Sequence, residues 1–277
     1  MLLQTPVDEY FWMAPFAYAL VLLGILLYLF YVFEHIYASR YNRPLYRHRL
    51  VYRKLNDKQK SVLRNNFSFY SKLSIRQQRQ FEHRVSYFLQ QKNFVGREGL
   101  EVNDFMKITI AAVGCMLSFG RRNYSYNLIH TIIIYPDVFY STENDNYHKG
   151  EFNPKHRVLA LSWIDFEAGY EITNDNLNLG IHEFMHALQL ESMNGKDLDS
   201  ARFVKHYRNI LKRLTHQDLK DKLDDTRFFR SYAFTNQYEF MAVLAEYFFE
   251  SPEEFKQHFP QLYDYKKKML NFNFAGY

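Results

Sequence analysis

Residues 182–186 read His-Glu-Phe-Met-His. Two imidazoles four positions apart project from one face of a helix, one turn from each other, and can hold a single Zn²⁺ between them. The glutamate between them then stands beside a water that the metal acidifies toward a pKa of ~7. This is the equipment of a zinc peptidase, with His182 and His186 as ligands and Glu183 as the general base that passes the water's proton to the leaving amine. The alternative is a helix that happens to carry these residues on a partly exposed face. In a chain with 11 His that pattern has a chance frequency of roughly 3%. The surroundings favour chemistry. Leu177, Leu179 and Ile181 before the motif, with Ala187, Leu188 and Leu190 after it, read as one apolar helix of about four turns. It would begin near Asn174 or Asp175, either of which can cap it. Charged groups inside such a helix are costly unless something pairs with them, and a metal does so.

Two histidines leave a catalytic zinc site one protein ligand short. The HExxHxxGxxH arrangement is excluded, because Gln189 stands at its glycine position and Ser192 at its third histidine. An acidic ligand is therefore expected. Glu239 and Glu246, seven residues apart on a helix over 236–250, share one face. One of them binds the metal and the other fixes a histidine ring.

The elements that must position these groups are mostly helical. Helices are expected over 57–70 and over 74–91, the second capped by Ser74 with Phe81, Val85, Phe88 and Leu89 as its buried stripe. An apolar helix over 103–117 is expected to be buried on most sides, and further helices lie over 200–214 and 236–250. Strands are expected over 128–135, stopped by Pro136, and over 156–163, with a polar loop at 141–154 between them. Pro252 and Pro260 punctuate the carboxyl-terminal turns. The fold class is α+β: a mainly helical, zincin-like metallopeptidase domain with a small sheet. The strand over 158–163 lies just upstream of the metal helix, where an exposed edge could pair with an extended peptide.

Residues 11–33 are 23 consecutive uncharged residues, long enough to cross the ~30 Å hydrocarbon layer. A cleaved signal peptide fits poorly, since Asp8 and Glu9 replace a basic leader and Glu34-His35-Ile36-Tyr37 is no small-residue cleavage site. Arg40, Arg43, Arg47, Arg49, Arg53 and Lys54 follow the span, so the body should face the cytoplasm from an inner (cytoplasmic) membrane crossed once. Those cations, with Tyr37, Tyr41 and Tyr46, suit an anionic lipid surface and account for most of the +5 net charge. No nucleic-acid partner is indicated. The single Cys115 excludes an internal disulfide and suits a reducing compartment. The organisation reads as a short segment 1–10, a transmembrane helix 11–33, a basic juxtamembrane segment 34–55 and a zinc peptidase domain 56–277.

Several blocks in order, FVGREGLEV (94–102), IIIYPDVF (132–139), VLALSW (158–163), HEFMHALQ (182–189) and YAFTNQYEFMAVLAEYFF (232–249), resemble the Mlc titration factor A family of zinc peptidases. That family's core is in turn similar to the anthrax lethal factor protease domain. The resemblance runs from about residue 78 to 270. It implies His182, His186 and Glu239 as zinc ligands, Glu183 as base and Tyr232 as a hydroxyl donor near the metal. The transmembrane segment departs from the best-known members, which are soluble. The expected function is a membrane-anchored zinc peptidase acting on peptide or protein substrates. Its rival is a regulatory binding protein that sequesters a transcription factor at the membrane, with an auxiliary zinc site.

Overall fold

The computed structural model describes residues 12–45, 52–141, 143, 145–171 and 175–277. Four strands form one sheet in the order β1 (Asn93–Gly96), β2 (Thr131–Tyr135), β6 (Val158–Ser162), β5 (Gly150–Asn153). The first three are parallel and β5 runs antiparallel to β6. Parallel neighbours need crossovers. The helix α5 (Asp104–Leu117) lies between β1 and β2, and β3 (Phe139–Ser141) and β4 (Asn146–His148) form a separate hairpin between β2 and β5.

This corrects two sequence expectations. The segment 141–154 is not an irregular loop, because it contributes β4 and β5; both are too short and too polar to show period-two alternation. The strand over 156–163, trimmed to β6, has no open edge, since β2 covers one side and β5 the other. The sheet's free edge beside the metal helix is β5.

The helices follow their local signals. Asn56 and Ser74 form capping boxes with Gln59 and Gln77 at the starts of α2 (Asp57–Asn66) and α4 (Ile75–Gln91). The expected single helix over 57–70 is broken at Phe67, whose extended backbone turns its ring into the core before α3 (Ser68–Ser71). Asn103 caps α5, which is buried from Ile108 to Leu117. Trp163–Glu171 (α6), absent from the sequence reading, leads to α7 (Leu179–Asn194), the helix that carries the motif. Gly114 of α5 faces the Phe184 ring, where a Cβ would lie 3.0 Å from Cε1, so these two helices pack at close range.

Beyond α7 come α8 (Leu198–Leu214), α9 (Gln217–Thr226), a 3₁₀ turn at Ser231–Phe234, α10 (Gln237–Glu250), α11 (Pro252–His258) and α12 (Pro260–Leu270). Pro252 and Pro260 begin helices rather than merely ending them, occupying first-turn positions whose N–H groups need no helical partner. Lys266 of α12 is fully buried, and its Nζ donates to the Met241 carbonyl at 2.8 Å. Burial holds its amine well below the usual lysine range.

At the amino-terminal end, α1 (Ala14–Tyr41) has a mean hydropathy of 2.4 over its most apolar window, none of which is buried. By length and composition it can cross a membrane. Phe11, Tyr46, Arg47, Arg49 and Asn174, which figure in the sequence reading, lie outside the described residues.

Candidate active site

The cap of the motif helix lies three residues beyond Asp175. Asn178 is the cap, its Oδ1 accepting from the Ile181 N–H at 2.9 Å, while Asp175 instead accepts from the Leu177 N–H in the preceding turn. Asn178 also donates from Nδ2 to the Gly169 carbonyl and the Glu250 carboxylate, and its backbone N–H donates to Glu246. The cap thereby fixes the start of α7 against both α6 and α10.

His182 and His186 follow one turn apart, with ring centroids 4.7 Å from each other. On α10, Asn236 caps the first turn through the N–H groups of Tyr238 and Glu239, aiming Glu239 at both imidazoles. Its Oε2 lies 2.9 Å from His182 Nε2 and 3.5 Å from His186 Nε2. One ligand atom from each of the three residues falls within 4.8 Å of the other two. A tetrahedral Zn²⁺ with bonds near 2.0–2.2 Å sets its ligand atoms roughly 3.3–3.6 Å apart; the 3.5 Å pair matches that, the 2.9 Å pair would open slightly, and the donor chemistry suits the metal.

Glu246, two turns deeper, meets the other side of the same ring: its Oε1 is 2.7 Å from His182 Nδ1. Arg230 grips Glu246 with two nitrogens, each at 2.8 Å, and the Asn178 N–H adds a third donor at 3.1 Å. The two glutamates left open by the sequence therefore occupy different places. Glu239 stands with the histidines on the side where their Nε2 atoms converge, and Glu246 is pinned behind His182.

Electrostatics follows the geometry. Burial disfavours a charged His182, but the hydrogen bonds its ring donates to Glu239 and Glu246 outweigh it and raise its pKa to about 9. Glu239 is likewise penalised by burial, yet the two imidazoles hold it well below the carboxylate range. Burial raises Glu183, with the histidines opposing. Tyr232, half exposed on the 3₁₀ turn, has its ring centroid 5.8 Å from that of His182. Burial, followed by the negative charge of Glu239, pushes its hydroxyl up to about 12.

A cleft of about 420 Å³ opens beside His182, Glu183 and Tyr232, with Gly150, Leu177 and Leu179 also in its lining. Gly150, the first residue of β5, is there for a steric reason. A Cβ at this position would lie 2.7 Å from Cγ and Oε1 of Glu183 and 2.7 Å from Leu179. The edge strand can pass directly over the acid only because that side chain is missing. Sequence reasoning missed Gly150, Arg230 and Asn178. Only Asn178 carries a usable signal, as an asparagine placed before an apolar helix.

Residues 42–270 match the family described as glucose-regulated metallo-peptidase M90. The chain belongs to this family. A Synechocystis sp. protein named only as uncharacterized is 30% identical over 230 residues, covering 75% of this chain and 81% of the relative. Mlc titration factor A of Cronobacter sakazakii is 27% identical over 208 residues, 69% of this chain and 77% of its own length. The same factor from Escherichia coli O1:K1 is 25% identical over 194 residues, with coverages of 64% and 72%. The resemblance drawn from the sequence blocks is thus borne out. The family is one of metallopeptidases, and a His-His-Glu cluster able to hold a metal lies within the matched residues.

Proposed function

We propose that this chain is a membrane-anchored zinc metallopeptidase whose catalytic domain faces the cytoplasm and hydrolyses peptide or protein substrates. The observation that carries the reading is the convergence of His182, His186 and Glu239, with His182 and Glu183 lining a cleft that β5 borders at Gly150. Those three side chains would hold a zinc ion, which would supply Lewis acidity for activating water and a carbonyl.

The chain's own residues do the rest. Glu183 takes a proton from the attacking water and delivers it to the leaving amine; its raised pKa suits a group that must hold a proton between those steps. Tyr232 keeps its proton, and so can donate a hydrogen bond to the carbonyl oxygen as negative charge builds there. Glu246, locked by Arg230, accepts from His182 Nδ1 and so leaves Nε2 free to bind metal. The outer edge of β5 is a template for an extended substrate, which would lie across Gly150 and Glu183.

Support for the membrane placement comes from α1, and for its orientation from the cations that follow the apolar run, Arg40, Arg43, Arg53 and Lys54 among them. A reporter fused after Tyr277 should be active in the cytoplasm; activity confined to the exterior would overturn the orientation. The name Mlc titration factor A speaks of titrating another protein, which supports the second reading, a regulatory binder. Glu183→Gln separates the two. In full-length protein it should retain about one zinc per chain and lose hydrolysis of a peptide library. Wild-type cleavage by this variant, or the lack of any cleavage by the wild type, would count against the peptidase reading. Tyr232→Phe should keep its zinc and turn over on the order of 10²-fold more slowly.

A further inference from the structure

The foot of α1 is built differently from the rest of that helix. Residues 15–31 are exposed without interruption, as a helix surrounded by lipid would be, whereas Glu34 is 1% and Ala38 7% exposed. The helix does not stop where its apolar run stops, but continues unbroken to Tyr41. Over those last turns it lies against the catalytic domain.

The contacts are specific. A Glu34 carboxylate oxygen lies 2.6 Å from an Arg122 guanidinium nitrogen. The Arg122 backbone N–H donates to Asp199 at 2.8 Å, and Asp199 in turn accepts from Arg202 at 3.0 Å. Asn273 donates to the Tyr41 carbonyl at 3.1 Å. The crevice between Ala38, Pro44, Leu198 and Asn271 has only about 10 Å³ of free space, no more than one water could use. The receiving surface is itself tied down. Asn271 donates to the Gly120 carbonyl, and Arg121 donates to Ser192 in the last turn of α7. A simple tether needs none of this, and a carboxylate is buried at such cost only where its partner is fixed.

We propose that Glu34 to Tyr41 form a docking element that seats in a receptor made by Arg122, Leu198 and Asn271, so that α1 and the catalytic domain move as one body and the cleft keeps a fixed attitude to the lipid surface. The fixed attitude rests on the membrane reading above; the docking rests on the contacts alone. The ten residues from Ser192 back to His182 span roughly 15 Å of helix α7, so the metal-binding end stands about that far from the end tied to the receptor.

The test uses the full chain in lipid nanodiscs. Spin labels are placed through Leu27→Cys on α1 and Arg208→Cys on α8, both at exposed positions, while the buried Cys115 stays unlabelled. The expected result is a single narrow distance distribution that broadens several-fold in Glu34→Lys and in Arg122→Ala, and less in Glu34→Gln. Helical content and zinc stoichiometry, unchanged between wild type and Glu34→Gln, show that the domain is still folded. A broad distribution in the wild type would overturn the docking, as would an unaltered narrow one in Glu34→Lys. The label at position 27 separately tests the membrane: relaxation by oxygen but not by an aqueous nickel chelate supports the fixed attitude. The reverse overturns the membrane reading and leaves the docking to be judged by the distances.

Discussion

Glu239 and Glu246 lie on one face of α10 yet meet opposite nitrogens of the same imidazole. That difference yields distinct expected losses. Glu239→Ala should abolish zinc binding with a smaller effect on folding, because Glu239 is less buried than Glu246 and no guanidinium is left unpaired by its loss. Glu246→Ala should instead unpair the Arg230 guanidinium next to a buried imidazole, costing roughly 3–5 kcal/mol of stability. Zinc stoichiometry and thermal unfolding of both variants check this, and equal zinc loss with equal stability would contradict it. Gly150→Ala should keep zinc but slow turnover, since the new methyl must displace Glu183, Leu179 or the β5 backbone; wild-type turnover would show that the strand can shift freely. At this scale the motif was legible, because the spacing of His182, Glu183 and His186 is set by chemistry acting within one helical turn. Gly150 and Arg230 were not, because their importance lies in which distant group they approach.

The element scale turns on the junction of α6, α7 and α10, which Asn178 holds with four hydrogen bonds and where Glu250 completes the group. Burial raises the Glu250 pKa to about 8; the Asn178 amide opposes the shift, and Asp175 and Glu246 add to it. A carboxyl whose native pKa lies above its unfolded value of 4.5 binds a proton more tightly when folded. The contribution of Glu250 to stability is then greatest at low pH and falls as pH rises from about 4.5 to about 8. Glu250→Gln removes that decline. The variant should gain roughly 1–3 kcal/mol more, relative to wild type, at pH 8.5 than at pH 5, a range discounted for the partial exposure of the group. Parallel unfolding curves for the two proteins across that range would refute the assignment. Helices with caps and long apolar stripes, such as α4 and α5, were legible as elements. The strand β5 was not, because Gly150-Glu151-Phe152-Asn153 is a strand only through its hydrogen bonds to β6.

At the scale of the whole molecule, the α+β class and the apolar amino-terminal helix were readable from composition and periodicity, since both are properties of long segments. Sheet order was not. It depends on which crossover places β2 between β1 and β6, a choice made by packing far along the chain. The helical half of the core closes over Lys266, whose amine donates to the Met241 carbonyl and the Met185 sulfur. No reagent can reach this fully buried amine while α7, α10 and α12 remain packed. Its acylation therefore serves as a clock for the opening of that core. With surface lysines blocked first, slow incorporation of an acyl label at Lys266, followed by mass spectrometry, should track global unfolding rather than local fraying.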